Sequence, residues 1–268
     1  MKSDFIDLIS QLDDPQRIAA IKEIDLCAHP ELEIYLLDLV EDEQLSQAER
    51  LAAIEALIKS SNAELSTHAV TLSSSPQDQI RYFTAMALGN TGVKGFSLLC
   101  QLLTDNVNTV RNVAERSLID QIDQVDAATM ERLLQLIEHP TPLIRSPAAR
   151  LLGLSRSLQA YAPLLKMLTH DKQWLGRLWA AKGLGDLGLM QAVEPLTQAM
   201  ASDDKNRVRA ACAEAIGKLR PTNAAEILRT ALNDEDGGVR KIASEQLVAL
   251  GFEGETEEED PFTIEQED

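Results

Sequence analysis

Aromatic residues are scarce, making up 4% of a 268-residue chain whose hydrophobic content is 44%. Leucine and alanine carry the apolar content, which favours helices over strands. Only three cysteines occur, Cys27, Cys100 and Cys212, far apart and without a C-x-x-C pair. That excludes a disulfide framework or a zinc ribbon and reads as free thiols in a reducing compartment. The four histidines, His29, His68, His139 and His170, never meet a cysteine or carboxylate at ligand-like helical spacing. No metal and no cofactor is therefore expected, because Cys27 and His29 alone are too few for a closed site. The chain also lacks a basic excess. It has 25 Lys and Arg against 43 Asp and Glu, a net charge of −18, so nucleic acid is not an expected partner. No apolar run is long enough to span a membrane. The first residues, MKSDFIDLISQL, read as the start of an amphipathic helix rather than a secretion signal. A cytoplasmic location is expected. Phosphate-binding loops, nucleophile elbows and H-E-x-x-H motifs are absent, which weighs against an enzyme.

What the sequence does contain is repetition. Arginines recur at Arg17, Arg50, Arg81, Arg111, Arg145, Arg177, Arg209 and Arg240, at spacings of 30 to 34 residues. Three residues after each stands a small residue: Ala20, Ala53, Thr84, Ala114, Ala148, Ala180, Cys212 and Ala243. Seven residues after each stands a large aliphatic: Ile24, Leu57, Leu88, Leu118, Leu152, Leu184, Ile216 and Leu247. Offsets of three and seven share one helical face, so each copy predicts an amphipathic helix packed through its small residue. Gly89, Gly153, Gly185 and Gly217 follow at offset eight and are expected to end their helices.

Upstream of each arginine lies a second apolar run, such as ELEIYLLDLV or APLLKML, which predicts the first helix of a pair. Pro163 and Pro195 stand 14 residues before their arginines and are expected to bend these first helices. Asp105, Asp171, Asp203 and Asp234 stand six residues before Arg111, Arg177, Arg209 and Arg240. They are expected to accept turn N–H groups and to face arginines of neighbouring repeats in a stacked ladder. Gln11, Gln44, Ser75 and His139 hold that place in the other copies, where the ladder should be weaker. Together the pattern predicts an all-α, right-handed α-solenoid of about eight helix pairs over residues 1–251.

The unit D-x-x-x-x-V-R-x-x-A-x-x-A-L-G, best seen in DDKNRVRAACAEAIG from Asp203 to Gly217, resembles HEAT repeats. It is most similar to the HEAT-like repeats of the phycobilin lyase family and its bacterial relatives. That resemblance implies the superhelical fold over roughly residues 3–251. It is compatible with scaffolds, cofactor lyases and assembly factors alike.

Residues 252–268, FEGETEEEDPFTIEQED, hold nine acids and no base. They are expected to form a flexible, solvating tail, with Phe262 and Ile264 as a small apolar hook.

In solenoids of this type the second helices line the concave face, which predicts exposure one and five residues after each arginine. The fifth position is basic in three consecutive repeats, at Arg116, Arg150 and Lys182. Tyr82, Phe83 and Met86 flank this basic centre on one side, Leu178 and Trp179 on the other. Trp174 is expected in a turn and partly exposed, as a candidate anchor. Pro147 implies either a helix starting late, with Ser146 as cap, or a kink.

Two functions follow. One is a non-catalytic scaffold holding an acidic or mixed segment of a partner protein in the groove, an assembly or maturation factor being one form of it. The alternative, implied by the resemblance, is a subunit of a bilin lyase. Tetrapyrrole propionates would then meet the basic centre, although no residue set for thioether chemistry is found.

Overall fold

The arginine-centred pattern folds as its periodicity requires. A computed structural model describes residues 2–59 and 67–252, so all of the predicted acidic tail beyond Phe252 lies outside the described residues. Among the described residues are sixteen α-helices and no strand. Each repeat arginine sits on a second helix. These are α2 (Asp14–Lys22), α4 (Gln47–Ile58), α6 (Asp78–Leu88), α8 (Asn108–Ile119), α10 (Pro142–Leu154), α12 (Trp174–Leu187), α14 (Asn206–Leu219) and α16 (Gly237–Ala249). The apolar runs between them form the first helices. These are α1 (Lys2–Ser10), α3 (Glu33–Glu41), α5 (Thr67–Ser73), α7 (Phe96–Leu102), α9 (Ala127–Leu136), α11 (Tyr161–His170), α13 (Val193–Ser202) and α15 (Ala224–Ala231).

The chain divides into two compact units, residues 1–135 and 136–268, with the boundary inside α9. Within the first unit α2 packs on α4, α4 on α6 and α6 on α8. Within the second, α10 packs on α12, α12 on α14 and α14 on α16, while α11, α13 and α15 cover their partners from one side. This is sequential packing of helix pairs, in which each repeat completes the core of its neighbour. The aliphatic at offset seven is buried in all eight copies, and the small residue at offset three in all but the first. In the seventh copy that small residue is Cys212. Burial pushes its thiol well above the ordinary range and that of Cys100 up to about 12, so both stay protonated.

The glycines at offset eight serve a different purpose from the expected one. Gly89 does cap α6, but Gly153, Gly185 and Gly217 lie inside α10, α12 and α14, which continue one or two residues further. Each faces offset six of the next second helix. A Cβ built on Gly153 would stand 2.5 Å from the Cα of Gly183, and one on Gly185 would stand 2.8 Å from the Cα of Ala215. Gly153 and Gly185 let backbones touch and Gly217 makes room for the Gln246 side chain; none of the three stops its helix.

The prolines also correct the sequence reading. Pro163 and Pro195 are the third residues of α11 and α13. In a first turn the N–H has no intrahelical acceptor, so proline fits without bending the helix. Of the two arrangements expected at Pro147, the late start is overturned. With Thr141 as N-cap, α10 starts at Pro142, and Ser146 is a buried helical residue whose Oγ donates to the Pro142 carbonyl at 2.8 Å. Pro147 sits within that helix, and the carbonyl it leaves unbonded belongs to Leu143, which faces solvent.

Among the described residues, each one with positive φ stands at offset eleven, just past a second helix: Gly92, Arg156, Gly188, Arg220 and Gly251. Glycine suits this left-handed turn, but Arg156 and Arg220 occupy it at φ 52° and 49°. A side chain there costs about 1–2 kcal/mol, part of which glycine's greater freedom in the unfolded chain offsets. Arg156→Gly and Arg220→Gly should therefore each stabilise the protein by about 0.5–1 kcal/mol. Urea melts read this directly; a midpoint that falls for both variants would show that the arginines hold the turns through contacts.

Candidate functional site

The turns before the second helices build one periodic feature, and the second helices present another. In the turns, six of the arginines close their own loop, and four of these also clamp the next. Arg177 Nη1 donates to the carbonyl of Asp171, six residues back, at 3.1 Å. Arg81, Arg111, Arg145, Arg209 and Arg240 reach the carbonyls of Ser75, Asp105, His139, Asp203 and Asp234 in the same way.

The remaining guanidinium edge takes the aspartate of the following repeat in a two-point bond. Arg81 takes Asp105 at 2.6 and 2.9 Å, Arg145 takes Asp171 at 2.8 and 2.7 Å, Arg177 takes Asp203 at 2.6 and 2.9 Å, and Arg209 takes Asp234 at 2.8 Å twice. Each aspartate also accepts the N–H two residues on, from Val107, Gln173, Lys205 and Asp236. The partners lie 24 to 26 residues apart. The sequence placed the ladder on Arg111, Arg177, Arg209 and Arg240 and expected it weaker at Arg81 and Arg145; the two-point bonds include Arg81 and Arg145, because each runs forward to the aspartate of the next repeat. At the N-terminal end Glu49 substitutes, 2.7 Å from Arg17 and fixed by a capping box with Ser46. Arg50 turns instead to the Val40 carbonyl and Gln79.

On the second helices of the second unit, three predicted residues meet. Trp179 is half-buried, with the Arg150 guanidinium 5.6 Å and the Lys182 ammonium 5.9 Å from its ring centre. Leu178 beside it is also half-buried. Lys182 pairs with Glu214 of the next repeat at 3.0 Å, Glu214 with Lys218 at 3.1 Å, and Lys218 with Asp186 at 2.9 Å. Burial works against the Glu214 charge, but hydrogen bonds from Lys182 and Lys218 outweigh it and hold this carboxyl below its usual range. The face is thus an aromatic ring set in alternating charges rather than the basic centre expected.

Arg116, Tyr82 and Met86 belong to the first unit. Arg116 and Met86 are exposed, and Tyr82 lies edge-on to Phe83 at 5.5 Å. Phe83 is buried against Arg50 and belongs to the core, not to a surface patch. Trp174 is the first residue of α12 rather than part of a turn, half-buried with the Arg207 guanidinium 5.5 Å above its ring. Among the described residues no group of three His, Cys, Asp or Glu could hold a metal ion, and no helix is long and apolar enough to cross a membrane.

A sequence model of HEAT repeats matches residues 130–217 and 162–249. Residues 130–249 thus match HEAT repeats. Among solved structures, Kap95p, determined with RanGDP, is similar over 92% of this chain, at 15% identity and a TM-score of 0.56. This chain spans 38% of that one. The CpcE–CpcF complex of phycocyanin lyase from a Nostoc species aligns at 22% identity and TM-score 0.49, over 72% of this chain and 79% of that one. A designed armadillo repeat protein in complex with the peptide (KR)4 aligns at 17% identity and TM-score 0.44, over 68% of this chain and 97% of that one. No curated protein matches the sequence. The Kap95p likeness bears on fold alone and agrees with the paired-helix stack.

Proposed function

We propose that this chain is a non-catalytic scaffold that binds a partner protein through the exposed side of its second helices, around Trp179. The observation carrying this reading is the half-exposed Trp179 ring held between Arg150 and Lys182. A large ring kept rigid by its neighbours loses little freedom on binding, and such residues dominate interface energetics. The charges around it suit a segment of mixed sign, acidic where it meets Arg150. Paired-helix stacks expose long, regular surfaces of this kind. The buried, protonated thiols Cys100 and Cys212 suit a reducing, cytoplasmic setting.

The test is affinity capture from the native host with wild type and with an Arg150→Glu, Lys182→Glu variant, both first shown to melt alike. A partner retained by wild type should bind the variant at least tenfold more weakly when both are purified. Equal binding overturns the assignment of this face. A shifted absorption band on mixing the protein with a linear tetrapyrrole would overturn the scaffold reading in favour of cofactor handling.

A further inference from the structure

The turn at offset eleven is the place where this chain departs most from the cheapest choice of residue. Arg156 and Arg220 take left-handed backbone that glycine takes at Gly92, Gly188 and Gly251. Strain retained at a regular position points to a use for the side chain. Both arginines are exposed. The Arg156 guanidinium has no hydrogen bond or ion pair among the described residues. Arg220 Nη2 reaches the Ala249 carbonyl at 3.5 Å, at the end of α16.

Between the two arginines the same edge of the second unit exposes apolar side chains. Leu158 and Met190 open equivalent turns of adjacent repeats and are 73% and 56% exposed. The Tyr161 hydroxyl donates to the Gln191 carbonyl at 3.0 Å and ties these two turns together. The edge therefore reads cation, apolar, apolar, cation across three repeats.

The chain itself leaves the helical stack at this edge. Gly251 is the offset-eleven residue of the last repeat, and the Arg229 guanidinium lies 5.4 Å from the Phe252 ring just beyond it. The sixteen residues that follow have the complementary pattern: six acids between Glu253 and Asp260, then Phe262 and Ile264, then three more acids. Extended, they reach about 50 Å, at roughly 3.3 Å per residue. The edge spans two to three repeats, about 20–30 Å at 8–10 Å per helix packing.

We propose that residues 253–268 fold back along this edge. The acidic run from Glu253 to Asp260 meets Arg220, Phe262 and Ile264 cover Met190 and Leu158, and Glu265, Glu267 and Asp268 reach Arg156. The edge is then a self-occupied site for an acidic–apolar segment, which a partner carrying a similar segment must displace.

The test uses the full chain and a glutamate-specific protease, with cleavage at Glu257 to Glu259 followed by mass spectrometry. At low ionic strength, wild type should be cut there at least fivefold more slowly than an Arg156→Gly, Arg220→Gly variant or a Phe262→Ala, Ile264→Ala variant. The difference should vanish at about 0.5 M salt, where charge interactions are screened within a few ångströms. The glycine variant relieves backbone strain, so its lost protection cannot come from a damaged fold; its melt should equal or exceed wild type. Lys241→Glu changes net charge as much as the two glycine substitutions together, at an exposed site elsewhere on α16, and should leave protection intact. Equal cleavage of wild type and variants overturns the proposal, as does an equal effect of Lys241→Glu. Protection that rises with protein concentration also overturns it, because a second copy's segment would then be the occupant.

Discussion

Asp171→Ala should lower stability by about 3 kcal/mol, the loss expected when one partner of a buried ion pair is removed. Its carboxylate accepts from Nε and Nη2 along one edge of the Arg145 guanidinium at 2.8 and 2.7 Å, and the Arg145 and Asp171 side chains are only 12% and 6% exposed. Without the carboxylate, the arginine keeps its bonds to the His139 and Pro140 carbonyls but holds an uncompensated charge. The turn also loses the acceptor for the Gln173 N–H. Thermal melts should shift down by roughly 6–12 °C for a protein of this size. Asp203→Ala should cost less, because Asp204 already touches Arg177 at 2.6 Å and can stand in. A loss below about 1 kcal/mol for Asp171→Ala would show that the ladder behaves as solvated surface charge.

The ladder also sets the acid limit. Hydrogen bonds from Arg209 hold Asp234 below the usual carboxylate range. For Asp105 burial pushes upward, but the bonds from Arg81 and the Val107 N–H outweigh it and leave a net lowering. The unfolded chain thus binds protons on these groups before the folded one does. Their contribution is complete above the ordinary pKa of about 4 and is lost as pH falls through the lower folded values. Denaturant midpoints should be flat from pH 7 to about 5 and fall below about 4.

Gly153→Val should be almost as damaging, at about 3 kcal/mol, near the upper end for overpacking. The added Cβ would stand 2.5 Å from both the Cα and the carbonyl oxygen of Gly183. Neither atom can rotate away, so α10 and α12 must separate. That separation loosens Ala148, Leu152, Ala180 and Leu184, all fully buried. Gly153→Ala should show the same sign at a smaller size, since the clash begins with the first carbon. Gly188→Ala tests a different cause, because nothing lies within 4 Å of its Cβ and only its φ of 78° resists. If Gly153→Val melts with wild type, the two helices do not touch through these glycines.

Much of this was legible from one dimension. An arginine every 30 to 34 residues, with a small residue at offset three and an aliphatic at offset seven, predicts a stack of paired helices. Each offset is a local fact of helix geometry, so a one-dimensional pattern carries it. The glycines at offset eight were visible too, but their role was not. A glycine that ends a helix and one that lets two helices touch look alike until the partner at offset six of the next repeat is placed. The candidate face was legible as positions and misread as charge. Lys182 is a cation in the sequence and half of a Glu214 pair in the structure.

The sequence by itself determined the all-α class, the number and phase of the helix pairs and the buried face of each second helix. The class and the buried faces follow from periodicity within about ten residues, the number and phase from the 30- to 34-residue recurrence of the arginines. Tertiary structure alone decided which aspartate each arginine grips, because that link joins successive turns 24 to 26 residues apart. It decided that Arg150 joins Trp179 and Lys182 in one cluster, because Arg150 stands on α10 and the other two, three residues apart, on α12. It also revealed the left-handed backbone at Arg156 and Arg220, where the way each helix joins the next repeat overrides residue preference.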